Sequence, residues 1–178
     1  MRHVLKLTTV LFALLTFVGC ASSSGVVKNA SPMVTGKPVS LDFILVETTS
    51  SIDGLKPEQH RVNDAIISGL NETELFKSVS ADKADASSDQ GVKVKANIVE
   101  IRKVSDDARS WVGAWAGRAR ILVHVTVSDL SSGTSIETFE AEGVSGGSAK
   151  SGTTDEAIQQ AAAQIVTEIV KINSETGQ

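Results

Sequence analysis

The chain has one cysteine, no tyrosine, two tryptophans and three prolines among its 178 residues. A single cysteine excludes an internal disulfide, so any core must hold by packing. With aromatics at 4% of the residues, there are few rings on which nucleobases could stack. The formal net charge of −4 leaves no basic excess to meet a phosphate backbone. These shortages argue against nucleic acid as a partner. The longest apolar run is too short to cross a bilayer as a helix, which takes about 20 residues. Spacings of the HExxH and GxSxG kinds are also missing.

What is present begins with Arg2, His3 and Lys6, followed by an apolar run from Val10 to Val18 broken only by Thr16, then Gly19 and Cys20. Charged, apolar and small, in that order, is the layout of a secretory signal peptide, expected over residues 1–19. A lone thiol in an exported chain calls for a reason. Phe17-Val18-Gly19-Cys20 resembles the lipobox of bacterial lipoproteins, with Phe17 where Leu is usual. The resemblance implies cleavage before Cys20, a diacylglyceryl thioether on its sulfur and a fatty acyl group such as palmitate on its amine. One acyl chain binds a membrane marginally, whereas two or more anchor stably. The competing reading is an ordinary signal peptide with an accidental cysteine. Ala21 follows in place of Asp, which in enteric lipoproteins implies the outer membrane, with the protein facing the periplasm.

Cleavage would leave residues 20–178, with 15 basic against 21 acidic side chains and a net charge of −6. Residues 20–38 are rich in Ser and Gly, carry Pro32 and Pro38 and show no sustained period, so they read as a flexible tether. As a coil, the eighteen residues from Ala21 to Pro38 span about 25 Å. A partner-docking peptide is the other reading.

Residues 39–178 read as a single α+β domain. Val39 to Thr48 alternates, then turns apolar on its second face, which predicts a strand buried on both sides at its centre. Pro57 suits the first turn of a helix running to about Leu70, with Val62, Ala65, Ile66, Gly69 and Leu70 as its stripe and Asn71 as a stop. Leu75, Phe76 and Val79 suggest a brief edge strand, and Ala81 to Gly91 a surface loop. Val92 to Val104 alternates with a change of parity near Ile98, the mark of a bulge. Arg118 to Asp129 is the cleanest strand. Ser131-Ser132-Gly133-Thr134 is a tight turn into a partner strand from Ser135 to Val144. After a Gly/Ser loop, Thr153-x-x-Glu156 is a capping box opening a helix with Ile158, Ala161, Ala162, Ile165, Ile169 and Ile172 as its stripe. The expectation is a mostly antiparallel sheet of four to five strands with two helices on one face, in the order β-α-(β)-β-β-β-α.

Gly113-x-x-x-Gly117-Arg118-Ala119-Arg120, then Asp129-Leu130-Ser131-Ser132-Gly133-Thr134 and Gly143-x-Ser145-Gly146-Gly147, resemble a family of uncharacterised bacterial lipoproteins carrying a domain of unknown function. The chain is more distantly similar to YajG-like lipoproteins and to the periplasmic part of curli-secretion lipoproteins. The resemblance covers roughly residues 40 to 173. Its motifs are glycine and turn positions, and the family brings no catalytic residues. It implies an envelope protein that works by contact.

Chemistry-bearing candidates are sparse. Ser145 to Gly152 has a faint likeness to a phosphate loop, but Ala149 rather than Gly precedes Lys150. Gly143-Val144-Ser145-Gly146 misses a nucleophile elbow by one position. His60 and His124 have no metal-ligand spacing, and Asp106-Asp107 reads as a solvated pair. No catalytic residue, metal or cofactor is expected. The most informative cluster is Trp111, Trp115, Arg118 and Arg120, with Arg109, Gly113 and Gly117. It is either a partner or membrane contact loop, since Trp and Arg are enriched in hot spots, or a pair of rings capping the sheet core. The leading expectation is a non-enzymatic, membrane-anchored accessory or assembly factor of the envelope, acting on a protein partner or on copies of itself. A periplasmic ligand-binding module for glycan or lipid is the alternative, and an envelope hydrolase the third.

Overall fold

The structure, a computed structural model, describes residues 41–81, 91–103, 118–146 and 152–176. The expected signal peptide and tether, with Cys20, lie outside the described residues, as do Trp111 and Trp115. The elements are β1 (Phe43–Ser50), α1 (Lys56–Glu72), β2 (Ser78–Ser80), β3 (Val92–Arg102), β4 (Arg120–Asp129), β5 (Ser135–Val144) and α2 (Thr154–Thr176). The strands form one sheet in the order β2-β1-β3-β4-β5. β1 runs parallel to both of its neighbours, and β3, β4 and β5 are antiparallel in turn. The fold is therefore α+β, with two helices and a five-stranded, mostly antiparallel mixed sheet, as expected.

Alternation explains the centre. On β4, Ile121, Val123, Val125 and Val127 are fully buried. They stand opposite Ile101, Ile98, Ala96 and Val94 of β3 and Gly143, Ala141, Phe139 and Glu137 of β5. Burying a side chain of that size contributes about 1.5–3 kcal/mol. The register shifts between Ile98 and Glu100, where the parity change predicts a bulge. The shift lets Ile101 pair with Ile121 and keep an apolar side on the helix-covered face.

β1 is buried from Phe43 to Val46. Ile44 and Val46 join the main core, whereas Phe43 and Leu45 are buried apart from it, so both faces are apolar there. The strand starts later and ends later than the expected 39–48. Thr49 and Ser50 extend it because their backbones pair with Asn97 and Ile98, a gain that hydropathy does not report. Likewise, α1 runs past Asn71 to Glu72, where the Thr73 hydroxyl donates to the Leu70 carbonyl at 2.7 Å and closes the end. Of the three residues expected in the short edge strand, only Val79 lies in β2. Phe76 packs on the core, and Leu75 is 52% exposed.

The helices lie together on one face. α1 buries Val62, Ile66 and Leu70, and α2 buries all six residues of its expected stripe. Gly69 permits their close crossing: a Cβ there would stand 2.8 Å from Val166 Cγ2. None of the helices among the described residues is long and apolar enough to cross a membrane.

Both sheet edges are blunted. β2 has three residues. On β5, the Glu142 and Val144 amides donate to Gln164 and Gln160 of α2, and Gln164 donates to the Glu142 carbonyl. Glu137 turns a buried carboxyl inward from the same strand, and burial pushes it up from its ordinary value. A covered edge and an inward acid both oppose pairing with another strand.

Candidate functional site

The candidate site lies where β3 ends and β4 begins. Arg102 and Arg120 are the last cross-strand pair. The Arg102 guanidinium donates through Nε (3.0 Å) and Nη2 (2.8 Å) to the Arg118 carbonyl. One residue on, the Ala119 amide donates to Ser145 Oγ at 2.8 Å, and the Ser145 amide returns a bond to the Ala119 carbonyl at 2.9 Å. Ala119 and Ser145 are both buried. The β4–β5 ladder is thereby carried one step past its last strand pair.

Glu58, in the first turn of α1, meets this end from the helix side. It is 4% exposed, and its Oε1 takes Lys103 Nζ at 2.8 Å and Arg61 Nη2 at 3.1 Å. Arg61 also reaches Asp155 in the first turn of α2, at 2.6 Å. One carboxylate thus joins β3 to α1 and, through Arg61, to α2. Burial pushes the Glu58 carboxyl up. The hydrogen bond from Lys103, its own backbone and the charges of Lys103 and Arg61 outweigh burial and hold it below its ordinary value. Its second oxygen, Oε2, is buried and has no hydrogen-bond partner among the described residues.

The N-terminus of α2 packs tightly onto the same end. A Cβ at Gly143 would stand 1.8 Å from the Ala157 carbonyl oxygen, so only glycine admits the helix this close. The expected capping box forms with a variation. The Glu156 amide donates to Thr153 Oγ1 at 3.0 Å, but the Glu156 carboxylate reaches one residue further back, to the Gly152 amide at 2.7 Å.

Away from Phe43 and Leu45, the sheet face turned from the helices is largely polar. Arg120 lies between Glu142 (2.5 Å) and Glu100 (2.9 Å), and the Glu142 hydrogen bond foremost raises its already high pKa. His124 Nε2 contacts Glu140 Oε1 at 2.6 Å, Lys93 pairs with Glu47, and Thr49 donates to Asn97 Oδ1. The His124 side chain is 47% exposed. Its contact with Glu140 has the makings of a base and its orienting acid, but among the described residues no serine or threonine hydroxyl is bonded to it. Among those residues, too, no three His, Cys, Asp or Glu side chains gather as metal ligands would.

Of the expected contact residues, Arg118 and Arg120 therefore fall together at the start of β4. Arg120 is held by carboxylates on both sides, and Arg118 is exposed with its carbonyl engaged. Trp111, Trp115 and Cys20 fall outside the described residues. Sequence reasoning missed Glu58 and the two glutamines of α2, and it named Ser145 only within glycine-rich motifs, not as the partner of Ala119. Each is an unremarkable polar residue until a distant segment arrives beside it. A Glu beside Pro57 in a first helical turn reads as a dipole partner in solvent.

A sheet with helices on one face and a charged ladder on the other defines a two-layer α+β domain. The chain belongs to the DUF4410 family, a domain of unknown function, whose family model matches residues 24–149. No curated protein matches it. Among solved structures it is similar to a variant of PelC from Paraburkholderia phytofirmans, solved as a dodecamer. That likeness has 13% identity and a TM-score of 0.56, over 80% of this chain and 96% of that one. A second PelC dodecamer from the same organism gives 12% identity and a TM-score of 0.52, over 83% and 96%. At such identity the likeness is one of fold.

Proposed function

We propose that the chain is a lipid-anchored lipoprotein of the bacterial envelope, held in the outer membrane through Cys20 and facing the periplasm. It acts without catalysis, as an accessory or assembly factor, through contacts with an envelope protein or with copies of itself. The observation that carries the contact reading is the fold shared with PelC, a protein solved as a dodecamer. The run Phe17-Val18-Gly19-Cys20, which resembles a lipobox, supports the anchor, and stable attachment needs more than one acyl chain. Trp111, Trp115, Arg118 and Arg120 are the residues assigned to the contact.

The test has two arms. Intact-mass analysis of protein from membranes should show Cys20 as the first residue, carrying acyl groups. An unmodified thiol on a freely diffusing product overturns the anchor. Photocrosslinkers placed at positions 111 and 115 in cells should capture an envelope protein or a second copy. Capture of lipid or glycan alone overturns the protein-contact reading.

A further inference from the structure

β5 is the last strand of the sheet, so half of its backbone groups face away from β4. The register says which half. The Ser145 amide donates to the Ala119 carbonyl, just before β4, so odd-numbered residues turn toward β4 and even-numbered ones turn out. Glu142 and Val144 belong to the outward set, and α2 meets both. Gln164 accepts from the Glu142 amide at 3.4 Å and donates to the Glu142 carbonyl at 3.1 Å. Gln160 accepts from the Val144 amide at 3.3 Å. Accepting from the amide and donating to the carbonyl of one residue is what a residue of a neighbouring antiparallel strand does.

The spacing fits. Four residues along a helix climb about 6 Å, and two along a strand advance about 6.8 Å. Gln160 and Gln164 therefore step along α2 at nearly the pace at which Val144 and Glu142 step along β5. The series stops at the next such position. Glu168, when charged, can accept but not donate, and its carboxylate is turned to Lys171 Nζ at 3.4 Å.

We infer that Gln160 and Gln164 stand in for a sixth strand, and that they are the residues that keep two copies of the chain from joining β5 to β5 in one continuous sheet. The inference is independent of the partner taken by the contact residues proposed above.

Neither glutamine is needed for packing. The buried stripe of α2 is apolar, and both glutamines are only half-buried. The close approach of α2 at Gly143 is a backbone contact in which they take no part. Water would satisfy the same amides, but water leaves when another strand arrives, whereas a side chain rooted on the helix stays. The carboxylates of the strand do not do this work at the covered end. Glu142 is paired with Arg120 and Glu140 with His124, while the inward acid Glu137 lies toward the other end of β5. A second copy is the occupant that fits this edge. In an antiparallel pair of β5 with itself, the outward residues of one copy meet the outward residues of the other. Such a pair is two-fold and closed. The opposite edge, β2, has three residues, too few to extend the pair into a fibre.

The experiment compares the full chain, purified in detergent, as wild type, Gln160→Ala/Gln164→Ala and Gln159→Ala, the last an exposed glutamine of the same helix. Far-UV circular dichroism reads the fold. Hydrogen exchange reads the Glu142 and Val144 amides, and sedimentation over a wide range of concentration reads association.

In the dilute double variant the two amides are expected to exchange about five- to tenfold faster, as for the loss of one net hydrogen bond each. At high concentration a dimer absent from the wild type should form, and the same two amides should become protected again. Gln159→Ala should match the wild type throughout. Faster exchange with native circular dichroism and no new dimer at any concentration overturns the inference, because the glutamines then bond the edge without guarding it. A dimer in which both amides stay as fast as in dilute solution overturns it too, because the copies have met elsewhere. If the double variant does not fold, Gln164→Ala alone, which removes the two-way pair with Glu142, decides by the same readings.

Discussion

The two ends of β4 are held in opposite ways. On leaving, the chain turns through residues 130–134, and the side-chain bonds that shape the turn are local, although the Leu130 amide also donates to the distant Gly91 carbonyl at 2.9 Å. The Asp129 carboxylate accepts from the Ser131 hydroxyl (2.6 Å), the Ser132 amide (2.7 Å) and the Ser132 hydroxyl (2.8 Å). The Gly133 amide donates to the Asp129 carbonyl at 2.9 Å, and Gly133 takes φ of +70°, open to glycine at little cost. On entering, the bonds come from far off. Arg102 is 16 positions from Arg118, Ser145 is 26 from Ala119, and Glu58 belongs to another layer. The turn can form as soon as its own residues meet. The entry end exists only once two helices and three strands have assembled.

That contrast is most directly broken at Gly143. Gly143→Ala must move α2 off β5, because the new Cβ would overlap the Ala157 carbonyl. The expected loss is about 3 kcal/mol, read from urea unfolding, as for other overpacked cores. The ion pair that α2 makes through Asp155 with Arg61, and so with Glu58, should weaken as well. A loss under about 1 kcal/mol would mean that α2 does not sit this close, and the entry end would no longer depend on the whole fold.

Gly133→Ala probes the other connection and should cost less, about 1 kcal/mol, the usual penalty for a Cβ at positive φ. Nothing stands within 4 Å of that Cβ, so the strain is confined to the backbone. A loss well above that would show the turn to be coupled to packing beyond its own residues.

The same contrast separates what the sequence discloses from what only assembly creates. The alternation of Ile121, Val123, Val125 and Val127 is a property of neighbours in sequence, and each of the four is buried. The bulge at Ile98, the turn at Gly133 and the Thr153 cap follow from neighbours too. The parallel pairing of β1 with β3 does not, because choosing a partner across a helix is a matter of topology. Glu58 is illegible in the sequence for the same reason. Its burial depends on Lys103, and nothing around Glu58 announces a lysine from the end of β3. Gly143 is recognisable as a shape-giving glycine, but only the approach of Ala157 says what shape it allows.

The smallest effect expected is at Asp129, and it appears only in acid. The Ser131 hydroxyl, followed by the amide and hydroxyl of Ser132, stabilises the charged carboxylate and lowers its pKa from 3.8 to about 2. A carboxyl depressed in the folded state contributes stability above its unfolded value, and that contribution is lost as pH falls through the folded one. Wild type should therefore lose stability between pH 3.8 and about 2 that Asp129→Asn does not. Asparagine keeps an oxygen for the same donors, so the turn should close in the variant at every pH. Glu58 and Glu47 are also held below their ordinary values, so the variant keeps some acid sensitivity, and the difference between the two curves is what isolates Asp129. Parallel thermal midpoints down to the acid limit would show that the turn's hydrogen bonds do not favour the charged form.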